Sequence, residues 1–290
     1  MIAVQALLAA PLTALLLGWL LRRRVALLLD HPNERSLHQR PTPRFGGLAM
    51  LLALGLLLPW RWAEMAAPLP TLLLLAALLA SFSLLDDWRG LPVVLRFLAH
   101  LAAAGVAVWH LGLPLLLVPL AWLAIAWMTN LYNFMDGADG LAGGMALFGF
   151  GAYALAAASA DAVPTGLTFV ALALAAAAAG FLLFNFPPAR VFMGDAGSIP
   201  LGFLAATLGL FGWQAGVWAW FFPLIVFAPF IVDASLTLFR RLLRGERFWQ
   251  AHRDHFYQRR VCAGWSHRRL LLLAWPLMAG CALLGLAVAR

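Results

Sequence analysis

The stretch VFMGDAGSIPLGF, residues 191–203, places a lone carboxylate, Asp195, between Gly194 and Gly197 and directly ahead of a new apolar run. The chain around it is 64% hydrophobic and 11% charged, with a mean hydropathy of +0.88 over 290 residues. Soluble domains are roughly 45–50% apolar. This chain therefore reads as an integral membrane protein, and the acid marks a place where a span meets water.

A hydrocarbon core of about 30 Å takes about 20 apolar residues per helical span. Working outward from the opening stretch, about ten such segments are expected, near 3–21, 45–62, 69–85, 93–111, 114–133, 141–159, 165–186, 199–213, 216–239 and 270–288. The fold class is all-α: a polytopic membrane protein in which residues 1–290 form a single transmembrane domain. The first run is followed, not preceded, by three arginines (Arg22 to Arg24). That is the reverse of a secretory signal peptide, so the run is expected to stay as a span with its N-terminus outside.

Alternate loops then face the cytoplasm: 22–44, 86–92, 134–140, 187–198 and 240–269. All twenty basic residues are arginine, and only Arg61 and Arg290 fall on the outer side, in keeping with the positive-inside rule. The net charge of +8 thus reports orientation. Nucleic-acid binding is not expected, because the arginines are spread over several loops and not gathered on one soluble face. Cys262 and Cys281 have no disulfide or metal spacing.

Nine of the twelve acids map to the same cytoplasmic loops. Acids contribute little to orientation, so the topology rule leaves this asymmetry unexplained and a functional site accounts for it. LLDDWRGLP puts Asp86 and Asp87 at a span end. Neighbouring helical positions point about 100° apart, so the pair suits two roles, one on a metal and one on a phosphate or proton. A solvated pair ending a helix is the plain alternative. NLYNFMDGADGLAGG carries Asn130, Asn133, Asp136 and Asp139 three residues apart, on one face if helical, although each DG pair is also an ordinary turn signal.

NFPPARVFMGDAGS combines Asn185, a Pro-Pro break and Ser198 with Asp195, on what reads as an exposed flexible turn. Hard cations such as Mg²⁺ take carboxylate oxygens together with substrate phosphate oxygens. In the last loop, His252 and His255 lack a third ligand for zinc and suit a phosphate or nucleotide contact. Asp233 lies within a span about 10 Å from the cytoplasmic end, where an ionisable group points to function. Arg96 and His100 read as snorkelling side chains, and His110 and His267 carry no assignment.

Taken in order, DHPNERSLHQRPTPRFGG (30–47), LLDDWRGLP (84–92), NFMDGADGLAGG (133–144), NFPPARVFMGDAGS (185–198) and PFIVDASLTLFRRLLRGERFWQAHRDH (229–255) resemble the polyprenyl-phosphate N-acetylhexosamine-1-phosphate transferases, the glycosyltransferase 4 family. The resemblance covers the whole chain. It implies a bacterial inner-membrane enzyme, with its site facing the cytoplasm, that moves a sugar-1-phosphate from a UDP-N-acetyl sugar to undecaprenyl phosphate and releases UMP. It also implies Mg²⁺, or Mn²⁺ in its place, on Asp195 and Asp87. Asp86, Asp87 and Asp195 become the catalytic acids. Arg35, His38, Asn133, Asp136, Asp139, Asn185, Asp233, His252 and His255 become substrate contacts.

Partners are the two substrates and membrane lipid, with homodimerisation left open. Many members carry H-x-H-H in the last loop where this chain has HRDH, as in the subgroup that initiates O-antigen and other surface polysaccharides. Two rival readings are weaker. A secondary transporter would hold its acids near the midplane. The CDP-alcohol phosphotransferase motif requires an arginine that DGADGLAGG lacks.

Overall fold

A computed structural model describes residues 2–23, 29–30, 41–246 and 252–289. The expected Arg35 and His38 contacts lie outside these residues. Thirteen helices and one short strand pair are present among them: α1 (Ile2–Leu7), α2 (Ala9–Arg22), β1 (Leu29–Asp30), β2 (Thr42–Pro43), α3 (Gly46–Leu57), α4 (Leu69–Arg89), α5 (Val93–Leu111), α6 (Val118–Phe134), α7 (Leu141–Ala158), α8 (Leu167–Asn185), α9 (Asp195–Gln214), α10 (Phe222–Val226), α11 (Ala228–Leu243), α12 (Phe256–Cys262) and α13 (His267–Ala287). Eight helical stretches are long and apolar enough to cross a membrane. With α3 and the α10–α11 pair, they account for all ten expected segments. The protein is an all-α, multi-pass membrane protein.

The inter-helix bonds fix which ends lie together. Arg61 donates to Gln5, the Ala66 amide to the Thr165 carbonyl and the Ala219 amide to the Ala289 carbonyl. Both termini thus share one end of the bundle, as an even number of passes requires. The acid-bearing loops occupy the other end.

Three helices form the centre. The candidate spans of α7 and α8 are each 72% buried and that of α9 is 83%, whereas those of α1–α2, α5 and α13 are 22–28% buried and turn long aliphatic side chains outward. Hydrophobicity all round a helix suits a central position, and small residues let the backbones approach. At the crossing of α3 and α9, Gly47 and Gly197 face one another so closely that a Cβ on either would strike the other backbone.

Three local expectations change. The ninth segment is not one helix: it breaks at Phe227 before Pro229, which has no N–H to donate at the second position of α11. α9 begins at Asp195, four residues earlier than expected, so the acid belongs to the first helical turn and not to a flexible turn. Gly194, at φ 76°, makes the reversal that a side chain would resist. α6 ends at Phe134; Asn130 and Asn133 are helical, but Asp136 and Asp139 sit in the following turn and do not continue the helical face.

Candidate active site

The acidic end contains two clusters. In the first, α4 carries Asp86 and Asp87 on its last turn. Asp86 accepts from the Leu91 amide at 2.7 Å and pairs with Arg96 of α5 at 3.0 Å. Asp87 pairs with Arg44 at 3.1 Å through Oδ1; its other oxygen is buried and without a hydrogen-bond partner, as is Nε of Arg44. The Gly46 and Gly47 amides, just after Arg44, bond the Phe192 and Met193 carbonyls at 2.9 Å. That clip carries Arg44 to the start of α9.

Asp195 lies within the field of both arginines and accepts a hydrogen bond from the Asn133 side chain, whose oxygen accepts from Ser198 at 2.7 Å. Asp136 accepts from the Gly194 amide. Burial first, and the neighbouring Asp195 next, push its carboxyl well above the usual carboxylate range. Asp30 of β1, paired with Thr42 of β2, faces Asp87 and Asp136 electrostatically. Three carboxyl groups, Asp86, Asp87 and Asp195, therefore share two guanidiniums, with a fourth, Asp136, beside Asp195. Such an arrangement lacks positive charge.

In the second cluster the polar groups are engaged with backbone. Asn185, buried at the end of α8, accepts from the Gly140 amide at 2.8 Å and donates to the Val191 carbonyl at 2.9 Å. Asp139 accepts from the Ala189 amide at 2.9 Å and lies 3.0 Å from His267. Asp233 accepts from the Phe256 and Tyr257 amides at 2.8 and 3.3 Å. Tyr257 donates to the Phe134 carbonyl at 2.9 Å, and burial pushes its hydroxyl far up.

His255 is buried, with its ring between Phe134 and Tyr257 at centroid distances of 6.1 and 6.0 Å. His252 lies 4.9 Å from it, ring to ring. Burial, then His255 and Arg241, lower the His252 pKa to about 4. Arg241 pairs with Asp254 and Glu246. Among the described residues, no three His, Cys, Asp or Glu side chains are grouped as a metal cage.

Sequence reasoning missed Arg44, Arg96, Tyr257 and His267. Arg44 lies inside the first motif with no assigned role, and Arg96, whose position suits snorkelling, holds Asp86. Asn130 accompanies His100 at 3.2 Å, to one side of the acids.

A groove of about 370 Å³ runs between α11 and α13 beside the second cluster, within the roughly 300–1,000 Å³ of small-molecule pockets. Its walls are almost entirely apolar. Asp233, Thr237 and Arg240 line it towards the acidic end, and Leu277 and Cys281 line it deeper.

The acids crowd the ends of the helices, not the midplane where a transporter would place them. Comparison with known proteins agrees with an enzyme. Residues 69–212 match the model of glycosyl transferase family 4. A phospho-N-acetylmuramoyl-pentapeptide-transferase of Moorella thermoacetica is 31% identical over 98% of this chain and 98% of its own. The chain belongs to glycosyl transferase family 4.

Two further relatives in the family are a probable undecaprenyl-phosphate N-acetylglucosaminyl 1-phosphate transferase of Bacillus subtilis and a decaprenyl-phosphate N-acetylglucosaminephosphotransferase of Mycobacterium leprae. The first is 29% identical over 94% of this chain and 81% of its own. The second is 31% identical over 84% and 73%. The family assignment makes this chain a membrane-embedded transferase of the polyprenyl-phosphate N-acetylhexosamine-1-phosphate class.

Proposed function

We propose that the protein transfers N-acetylhexosamine-1-phosphate from a UDP-N-acetyl sugar to undecaprenyl phosphate at the cytoplasmic face of a bacterial inner membrane. A phosphate oxygen of the lipid attacks the sugar-bearing phosphorus, the bond to the UMP oxygen breaks, and UMP leaves. The product is a lipid-diphosphate-linked sugar. The observation that carries this reading is the unpartnered, buried oxygen of Asp87, next to Arg44 and in the field of Asp195.

The lipid phosphate is largely ionised near neutral pH, since the second pKa of such a group is about 6, so repulsion between two anionic substrates is the obstacle. Arg44 and Arg96 offer positive charge against it, and the excess of carboxylates over guanidiniums fits a bound cation. Asp195 and Asp87 would hold Mg²⁺, or Mn²⁺ in its place, which neutralises the facing phosphates when bound. Asn133 steadies Asp195, and Arg96 and the Leu91 amide fix Asp86 toward the lipid phosphate. Asp136, on the 134–140 turn, faces the nucleotide sugar, while Asp139 and Asn185 fix that turn. His252, neutral near pH 7, serves the sugar nucleotide as a hydrogen-bonding group. The groove takes part of the isoprenoid chain.

The HRDH sequence, departing from H-x-H-H, supports initiation of O-antigen or a related surface polysaccharide. Membranes containing the protein, given undecaprenyl phosphate and a panel of UDP-N-acetyl sugars, are expected to release UMP with one sugar in a lipid-dependent manner. No lipid-dependent UMP from any UDP-N-acetylhexosamine refutes the reading. Orientation has its own test: Cys262 is exposed at the acidic end, so an impermeant maleimide should label it only after the cells are opened.

A further inference from the structure

Asp233 is an acid on a spanning helix beside the groove, the kind of residue that invites a substrate role. Its oxygens are taken up by protein donors. Oδ1 accepts the Phe256 amide at 2.8 Å and the Thr237 hydroxyl at 3.3 Å, and lies 3.5 Å from His255 Nδ1. Oδ2 accepts the Tyr257 amide at 3.3 Å. Phe256 and Tyr257 are the first two residues of α12. The opening amides of a helix have no acceptor within it and carry its positive end, and seven residues are too few for a helix to persist alone in water. His255 and Gln258 form a capping box on α12, and an acid from a different helix supplies the acceptors that the first two amides still lack.

The cap has a consequence at the site. With α12 fixed, Tyr257 is buried and its hydroxyl holds the Phe134 carbonyl at the end of α6 and fills the space where a Cβ on Gly137 would stand. The His255 ring closes the same stack. Asn133 and Asp136 flank this braced segment on either side.

We infer that Asp233 is a positioning residue: it caps α12 from a distance, so that Tyr257 and His255 hold the 134–140 turn, and with it Asp136, in place. The kinetic part of this inference rests on the transfer reaction proposed above; the structural part does not.

Replacement separates the two roles, because asparagine keeps one acceptor oxygen, enough for the shorter bond from the Phe256 amide, whereas alanine keeps none. Hydrogen exchange on the detergent-solubilised full chain should be accelerated about tenfold at Phe256 and Tyr257 in D233A, and at Phe256 at most about threefold in D233N. In the UMP-release assay, D233A should raise the UDP-sugar KM about tenfold with kcat within threefold, and D233N should restore most of it. Y257F should raise KM without accelerating exchange at Phe256. Unchanged exchange in D233A overturns the cap, whether or not UMP is released. A kcat equally collapsed in D233N and D233A, at unchanged KM, overturns the positioning role by making the charge itself essential. If D233A does not accumulate, near-normal exchange and kinetics in D233N support the inference, and collapsed kcat in D233N refutes it.

Discussion

The two polar clusters at the acidic end use the same residue types and solve opposite problems. Around Asn185, Asp139 and Asp233, nearly every side-chain oxygen accepts a backbone amide, and the loops between helices are tied to one another. Around Asp87, Asp136 and Asp195, acids repel acids, and an oxygen of Asp87 is left buried without a partner. A buried polar group that lacks its partner costs roughly 1–3 kcal/mol. A fold that keeps such a group gains nothing from it in stability, which fits the ligand role proposed for Asp87; in the second cluster His255 Nδ1, 3.5 Å from Asp233, is also buried without a hydrogen bond. The satisfied cluster holds the frustrated one in place.

The sharpest way to break this contrast is to neutralise an acid in each role. Asp195→Asn is expected to lower kcat by at least about a thousandfold, the order of several kcal/mol of lost charge stabilisation, while the protein remains folded. Near-normal UMP release by this variant in Mg²⁺ would remove Asp195 from the reacting centre. Asp136→Asn should keep the hydrogen bond from Gly194, because the amide oxygen still accepts, and should relieve repulsion from Asp195. Its thermal unfolding temperature in detergent is expected to equal or exceed that of the parent while transfer is impaired.

Asn185→Ala should behave in the opposite way. It removes two buried hydrogen bonds and strands the Gly140 amide and the Val191 carbonyl, at a cost of about 2–3 kcal/mol. The same thermal measurement should show a clear loss. Equal losses in Asp136→Asn and Asn185→Ala would erase the distinction between the clusters.

The spans were legible because lipid allows few solutions: each backbone amide must be satisfied within its own helix, so apolar length alone marks a pass. The start of α9 was harder. The apolar run alone places its start near 199; the packing of Gly197 on Gly47 and the reversal at Gly194 carry the helix back to Asp195. Within the acidic end, the motifs pointed to the acids but not to their partners. Arg44 and Asp87 are 43 residues apart, and Asp139 and His267 are 128. No helical or strand period links such positions, and only the assembled bundle brings them together.

The smallest expected effect tests the satisfied cluster through pH. His252 titrates near 6.5 when unfolded, but in the protein burial, then His255 and Arg241, hold its pKa down at about 4. A depressed histidine pKa means that the unfolded chain binds the proton more readily. Its contribution to stability is therefore fully present above about pH 6.5 and is lost as the pH falls toward 4. Between pH 7 and pH 5 the loss amounts to at most about 2 kcal/mol. His252→Gln, which cannot take up a proton, should flatten the fall in unfolding temperature over that interval, whereas Asp136→Asn should leave the part due to His252 in place. An identical slope in His252→Gln and the parent would mean that this imidazole is not held neutral by its surroundings, and its proposed part as an uncharged hydrogen-bonding group would go with it.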